Sequence, residues 1–436
     1  MACTGRLFVI FLASFSGCLA ALDKRDVTTE FYPDCDEFCK AALNQSTTTG
    51  NFSNLVYVRA AGQGGNSGDV LHYVLSTVNV PSILMVHTEG DKNAKLNFNW
   101  ERLLMGDNIT DMADAITTNT TTAGNVRYSF AVVFTKLLEY DDQDDSANVN
   151  ASHVLWNIRN FTEFQWMNAT TGQNGHSVIF NTTSSQPSPA ENKTSGSLSF
   201  EFELNHEQGR DDDLPRLLFN ANNTQINFVL DKFVPSFNKS RFALEVVMVS
   251  QETSDSMYLE ETKSIDDEYS PGVFRVVNWY TMGSHRHDGG YLQYKPVCYM
   301  KKERSRASGT ETSHYALVDP MDFPDLGSIL NISLARAFFG NQSVVRQSTN
   351  VSFGLSQDGF YVKNNYTAWT ASVGYGAPPD ETISLLVIII IAAGLGIPVV
   401  LIIFGGIYVC VRKLRSRRGY RQMDNVADGG RFPPIN

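Results

Sequence analysis

The sequence predicts a mainly β protein: a large domain of packed antiparallel sheets, built as one sandwich or as two subdomains, carried on a single transmembrane α-helix. Three observations lead there. Many short runs rich in β-branched and aromatic residues alternate with turn-rich spacers, the pattern of packed antiparallel sheets. An uncharged apolar run of 29 residues, Ile383 to Val411, is followed at once by a basic cluster. Fifteen Asn-x-Ser/Thr sequons precede that run and none follows it.

Residues 1–20 carry one early Arg6, then the nearly all-apolar stretch Leu7 to Phe15, and close with Cys18-Leu19-Ala20. This order predicts a secretory signal over residues 1–20, cut after Ala20. Its apolar core is too short to span a membrane. The run Ile383 to Val411 would form a helix of about 43 Å, against a bilayer core of ~30 Å, so it spans with tilt or with its ends among the headgroups. Arg412, Lys413, Arg415, Arg417 and Arg418 follow it. The positive-inside rule then places residues 412–436 in the cytosol and residues 21–380 in the lumen, a type I topology.

Within 21–380 the strand expectations are Leu55–Ala61, Val70–Leu75, Ser82–Thr88, Leu96–Trp100, Tyr128–Tyr140, Leu198–Leu204, Gln225–Leu230, Phe242–Val249 and Gly272–Asn278. They continue with Tyr291–Tyr299, Ser313–Val318, Val351–Leu355 and Tyr366–Val373. Alternation is clearest in Leu198–Leu204, where two Leu and two Phe share one face. Helices are expected at Cys35–Leu43 and within Leu330–Phe339. The polar stretch 181–196 is the best internal boundary.

The sequons are Asn44, Asn51, Asn108, Asn119, Asn150, Asn160, Asn168, Asn181, Asn192, Asn222, Asn238, Asn331, Asn341, Asn350 and Asn365. Each used site must lie on a surface reached in the secretory pathway. Several fall in Thr/Ser/Gly-rich stretches that read as loops: 44–50, 119–124 and 181–196. Dense glycan cover blocks proteases from exposed backbone.

The chain carries a net charge of −11, and its clustered basic charge sits mostly after the span. That argues against a nucleic-acid footprint, which needs a basic patch on the folded part. The cluster Lys301 to Arg306 reads as a solvated loop. After signal removal the cysteines before the span are Cys35, Cys39 and Cys298. One disulfide is expected, with Cys35–Cys39 and a long link to Cys298 as alternatives. Cys410, at the cytosolic end of the span, is a palmitoylation candidate.

No catalytic constellation emerges, and no cofactor or metal is expected. GxSxG, HExxH and P-loop motifs are absent. Gly62 to Gly68 has the wrong spacing for a phosphate loop and joins strand to strand, so a hairpin loop is expected. His285 and His287 lack a third metal ligand nearby in sequence. Asp141 to Asp145 lacks the EF-hand pattern and reads as a solvated acidic loop. The carboxylates of Ser264 to Tyr269 read as turn and edge charges. In the tail, Tyr420-x-x-Met423 has the tyrosine and bulky apolar spacing read by clathrin adaptors, eight residues after the span.

Five segments carry a resemblance: Leu71-His-Tyr-Val74, Ala131 to Asp141, Ser264 to Phe274, Arg336-Ala-Phe-Phe-Gly-Asn-Gln342 and Gly376-Ala-Pro-Pro379. With them the chain resembles the glycosylated lysosomal membrane protein family. It departs from that family in its cysteines and its tail. The resemblance implies a non-enzymatic protein: the accessory subunit of a lysosomal major facilitator superfamily transporter of dipeptides, covering its lumenal side and protecting it from proteolysis. A lumenal hydrolase or ligand-binding receptor is the alternative. A nuclear role, also suggested for the family, is at odds with the signal, span and sequons.

Overall fold

The structure is a computed structural model. It describes residues 24–63, 68–104, 112–118, 126–149, 154–172, 175–182, 196–264, 269–380 and 385–427. The expected signal, residues 1–20, lies outside the described residues. The chain forms two compact units, Met1–Asp380 and Glu381–Asn436.

The first unit opens with β1 (Arg25–Phe31), α1 (Glu37–Thr49), β2 (Leu55–Gly62), β3 (Val70–Ser76), β4 (Ser82–Thr88), β5 (Leu96–Phe98), α2 (Trp100–Leu104) and β6 (Ile116–Thr118). It continues through β7 (Val126–Asp141), β8 (Leu155–Asn160), β9 (Thr170–Thr171), β10 (Ser177–Asn181), β11 (Ser197–Leu204), β12 (Gly209–Arg210), β13 (Leu218–Phe219), β14 (Asn223–Asp231) and β15 (Ser240–Gln251). It ends with β16 (Tyr258–Lys263), β17 (Arg275–Tyr280), β18 (Gly290–Tyr294), β19 (Val297–Tyr299), β20 (Gly309–His314), α3 (Pro324–Leu330), α4 (Leu334–Phe339), β21 (Val344–Phe353) and β22 (Tyr366–Tyr375). The second unit is α5 (Leu385–Ala427).

All strand pairings among these elements are antiparallel. One layer runs β1-β2-β3-β4-β7-β15-β21, with β8 paired to the C-terminal half of β7. The other runs β10-β11-β14-β22, with β18 and β19 on the far side of β22 and β17 and β16 beyond β18. Strand β20 pairs with β19 and with β21 and so joins the layers. Their faces meet through aromatic rings: Phe134 against Phe200 at 4.8 Å between centroids, and Phe228 against Phe353 at 5.7 Å. Strands β3 and β4 are buried along their whole length, as strands with both faces covered are. In β11, Leu198, Phe200 and Phe202 face the core, which is the alternation read from the sequence.

Several expectations are corrected. Residue Trp100 does not close a strand: the Asn99 side chain accepts from Arg102 N (3.0 Å) and starts α2. Helix α1 starts later than expected, because the Asp36 carboxylate accepts from Cys39 N (2.8 Å) and caps it. It then runs on through the Ser/Thr-rich stretch to Gly50, whose φ of 71° ends it, so Asn44 sits on a helix and not in a loop. The expected strand 291–299 is two strands, broken at Pro296, which has no N–H for the ladder. The strand expected from Gly272 begins at Arg275, since Gly272 has φ 85°. The strand expected at 313–318 lies earlier, at Gly309–His314. Strands β10 and β11 pair with each other across 181–196, so that stretch links neighbours and does not separate domains. Likewise β2 and β3, on either side of Gly62 to Gly68, form a hairpin.

Candidate functional site

The feature distributed over the whole β unit is its asparagines. Eleven of the fifteen sequon positions are described; Asn108, Asn119, Asn150 and Asn192 lie outside the described residues. None of the eleven is buried: Asn44, Asn51, Asn168, Asn238, Asn341 and Asn365 are exposed, and Asn160, Asn181, Asn222, Asn331 and Asn350 are half-buried. The fold engages several of them by the carbonyl oxygen. Asn51 Oδ1 accepts from Trp166 N (3.0 Å), Asn168 Oδ1 from the Tyr32 hydroxyl (2.7 Å), Asn222 Oδ1 from Arg25 Nε (2.8 Å) and Asn341 Oδ1 from Arg336 Nη2 (3.0 Å). Glycan attachment uses the other atom, Nδ2, and leaves the amide oxygen able to accept, so fold and sugar do not compete for one group. The sequon hydroxyls are also built in. Ser240 Oγ donates to Glu139 Oε1 (2.6 Å), Ser352 Oγ bonds the Tyr140 hydroxyl (2.8 Å) and Thr224 Oγ1 donates to Glu203 O (2.7 Å).

The acidic run 141–145 has a structural role. Arg241, at the start of β15, has a guanidinium only 1% exposed, and it is held by three carboxylates: Asp142 through Nε (2.6 Å), Asp145 through Nη2 (2.8 Å) and Asp358 through Nη1 (2.9 Å). Asp142 also accepts from Ser146 N and Ala147 N. Those N–H donors and the guanidinium overcome its burial and hold its pKa below the usual value. The run is thus neither a loosely solvated loop nor an open cation site.

The other candidates separate from one another. His285 lies near Asp255 Oδ2, at 3.4 Å, on an exposed turn. Among the described residues no group of three or more His, Cys, Asp and Glu side chains could hold a metal ion. Cys35 and Cys39 are joined, with 5.3 Å between Cα atoms, and Cys298 is free and buried. Residues 265–268 of the carboxylate cluster lie outside the described residues. Of the basic loop, Lys301, Lys302 and Arg306 are exposed, whereas Arg304 reaches inward to Leu214 O (2.6 Å), Thr370 Oγ1 (3.0 Å) and Asn227 Oδ1 (3.2 Å).

That inward reach meets a group the sequence did not reveal. Glu203, on β11, accepts from Asn227 Nδ2 at 2.9 Å. Burial, with Asp211 and Glu201 close by, pushes its pKa up to about 7 despite Arg304. Burial raises the Asp211 pKa as well. A carboxylate of this kind is neutral in acid and charged near neutrality. It does not sit in a catalytic arrangement with a nucleophile or metal group among the described residues.

Helix α5 spans Leu385–Ala427 without interruption at Pro398. Its segment Ile389–Ser416 is apolar and long enough to cross a membrane, and its described side chains are almost all exposed to the surroundings. Tyr420 and Met423 lie within the same helix.

A large antiparallel β unit with surface sequons and one apolar helix near the C-terminus defines a class, the membrane-anchored glycoproteins. The family model described as glycosylated lysosomal membrane protein matches residues 54–416. The chain belongs to the glycosylated lysosomal membrane protein family. It is 33% identical to glycosylated lysosomal membrane protein B of Xenopus laevis over 397 residues, covering 89% of this chain and 94% of that one. To the Danio rerio protein it is 32% identical, covering 83% and 85%. To the Homo sapiens protein it is 30% identical, covering 82% and 84%.

Proposed function

We propose that this protein is the accessory subunit of a lysosomal major facilitator superfamily transporter of dipeptides, with its β unit in the lumen as a glycan-covered shield. The observation that carries the reading is the placement of the sequons: every described one is accessible, and they sit on α1, on strands and on loops along the whole β unit. A surface so fitted to carry sugars hinders proteases at loops that would otherwise be cleaved. The described residues hold one candidate span, too little to form a conduit by itself, which suits a subunit that attends a multi-span partner. A non-enzymatic role goes with this reading. The type I orientation follows from the basic cluster after the span.

Purification of the full chain in mild detergent, with mass spectrometry of what accompanies it, tests the proposal. A multi-span transporter is expected in stoichiometric amount, with a shortened lysosomal half-life when this chain is deleted. Recovery of the chain alone, with transporter abundance unaffected by its deletion, would overturn the reading and favour a lumenal hydrolase or receptor.

A further inference from the structure

The β unit carries an open groove of about 480 Å3 between the 270–275 segment and strands β19 and β20. Its wall includes Phe274 and Leu355, which are 49% and 39% exposed. Large apolar side chains left open on a concave surface mark a place where something docks. Pro296 and the buried Tyr299 continue the apolar lining. None of the groove residues belongs to a sequon. The chain from 241 to 330, which supplies most of the wall, contains no sequon at all.

The charge of the groove is specific. Arg275 is satisfied by Glu261 (3.2 Å) and Glu311 (2.7 Å). Arg306 also lines the groove, is exposed, and has no carboxylate partner among the described residues. Its guanidinium stands over Gly272, where a Cβ would come 3.5 Å from Nε. The same loop exposes Lys301 and Lys302 alongside Glu303. A cation without a carboxylate partner among the described residues, beside apolar walls, complements an anion with apolar flanks. The fork of one guanidinium matches a single carboxylate in a bidentate pair.

The wall is also fixed in advance. Ser264 N donates to Phe274 O (2.7 Å), Val273 N donates to Ser270 O (3.0 Å), and the buried Lys295 Nζ donates to Ser270 Oγ (2.7 Å). A preorganised groove spares its ligand the cost of ordering the loop.

We propose that this groove binds an acidic peptide segment, its carboxylate on Arg306 and its flanking apolar side chains against Phe274, Tyr299 and Leu355. The inference stands apart from the transporter reading, because the segment's binding is measured with no transporter present.

The test uses the full chain in detergent and rhodamine-labelled, end-blocked pentapeptides of the sequence leucine, phenylalanine, glutamate, phenylalanine, leucine, with a lysine-centred counterpart. Fluorescence polarisation near neutral pH, at about 0.1 M salt, reads binding. The wild type should bind the glutamate peptide saturably and the lysine peptide at least about tenfold more weakly. Arg306→Glu should reverse that preference, and Phe274→Ser should weaken both peptides, with thermal unfolding unchanged. No saturable binding up to about 1 mM, or equal affinity of the wild type for the two peptides, overturns the proposal. So does retention of the glutamate preference in both Arg306→Glu and the milder Arg306→Gln. If Arg306→Glu instead changes the sedimentation of the protein alone, the groove holds a second copy of this chain, and the peptide assignment fails.

Discussion

Replacing Arg241 by leucine leaves three carboxylates, Asp142, Asp145 and Asp358, around a site with no cation in it. Asp142 is 1% exposed and Asp358 10%, so neither can recover its lost partner from water without local opening. Removing one member of a buried ion cluster costs about 3–5 kcal/mol, because the uncompensated charge and not the missing contact dominates. With a urea slope of about 3 kcal/mol/M, the unfolding midpoint of the β unit falls by about 1–1.7 M. The sign of the pH dependence adds a second test. In the wild type the depressed Asp142 pKa contributes stability that is present above the unfolded value and is lost as pH falls through the folded value. Without Arg241 the burial of Asp142 raises its pKa, so acidification restores part of the variant's stability. Urea unfolding followed by tryptophan fluorescence, in acid and at neutrality, measures both effects. A midpoint shift below about 0.3 M, or a wild-type and variant difference that does not narrow in acid, would refute the reasoning.

Further outcomes are expected at the sequon of Asn238, at Glu203, in the tail and in the span. Ser240→Ala breaks the sequon of Asn238 and also removes a buried donor to Glu139, so it destabilises by about 1–3 kcal/mol. Asn238→Gln, which removes only the sequon, stays within about 0.5 kcal/mol in the same unfolding assay. Glu203, raised to about 7, makes the folded state hold an extra proton between its unfolded and folded pKa values, so stability falls as pH rises through that window; Glu203→Gln removes the slope and gains on the order of 1 kcal/mol at neutrality, checked by melting across pH. Tyr420→Ala shifts the protein to the cell surface, read by surface biotinylation, and unchanged intracellular delivery would dismiss the sorting motif. Enlarging Ala392 and Gly396 together to leucine weakens co-purification of the proposed partner if small residues let helices pack closely; equal recovery places the contact in the β unit alone.

How far the sequence reveals this molecule depends on whether a signal is local. The bounds expected for strand β4, Ser82–Thr88, are those of the structure, because an unbroken apolar run between turn residues has no competing period. The core face of β11 was legible for the same reason. Strand β1, Arg-Asp-Val-Thr-Thr-Glu-Phe, and β16, Tyr-Leu-Glu-Glu-Thr-Lys, were not, since each lies at a sheet margin with most side chains toward solvent. Strand β8 gives no clear strand signal although Leu155, Trp156 and Ile158 are apolar, because it is short and interrupted by polar residues. The sequons were plain as triplets, but nothing in a triplet tells that Arg25 lies against Asn222, 197 positions away. Arg241 is the sharpest case. In sequence it is one basic residue before an apolar strand; its three partners come from the β7–β8 loop and the segment after β21, and only the antiparallel pairing of β15 with β7 and β21 brings them together.

The uninterrupted course of α5 sets a height. At about 1.5 Å per residue, the backbone at Tyr420 lies ~46 Å along the axis from Ile389, where the candidate span begins. A bilayer core takes up ~30 Å of that length. With Ile389 at one boundary, the tyrosine stands ~16 Å beyond the other, on a stalk and not on a string. Arg412, Lys413 and Arg415, all exposed, lie on that stalk just past the core, at the depth of phosphate headgroups. Anything that reads the segment from Tyr420 to Met423 would therefore meet it as helix, at a height set by the helix and not by a loose tail.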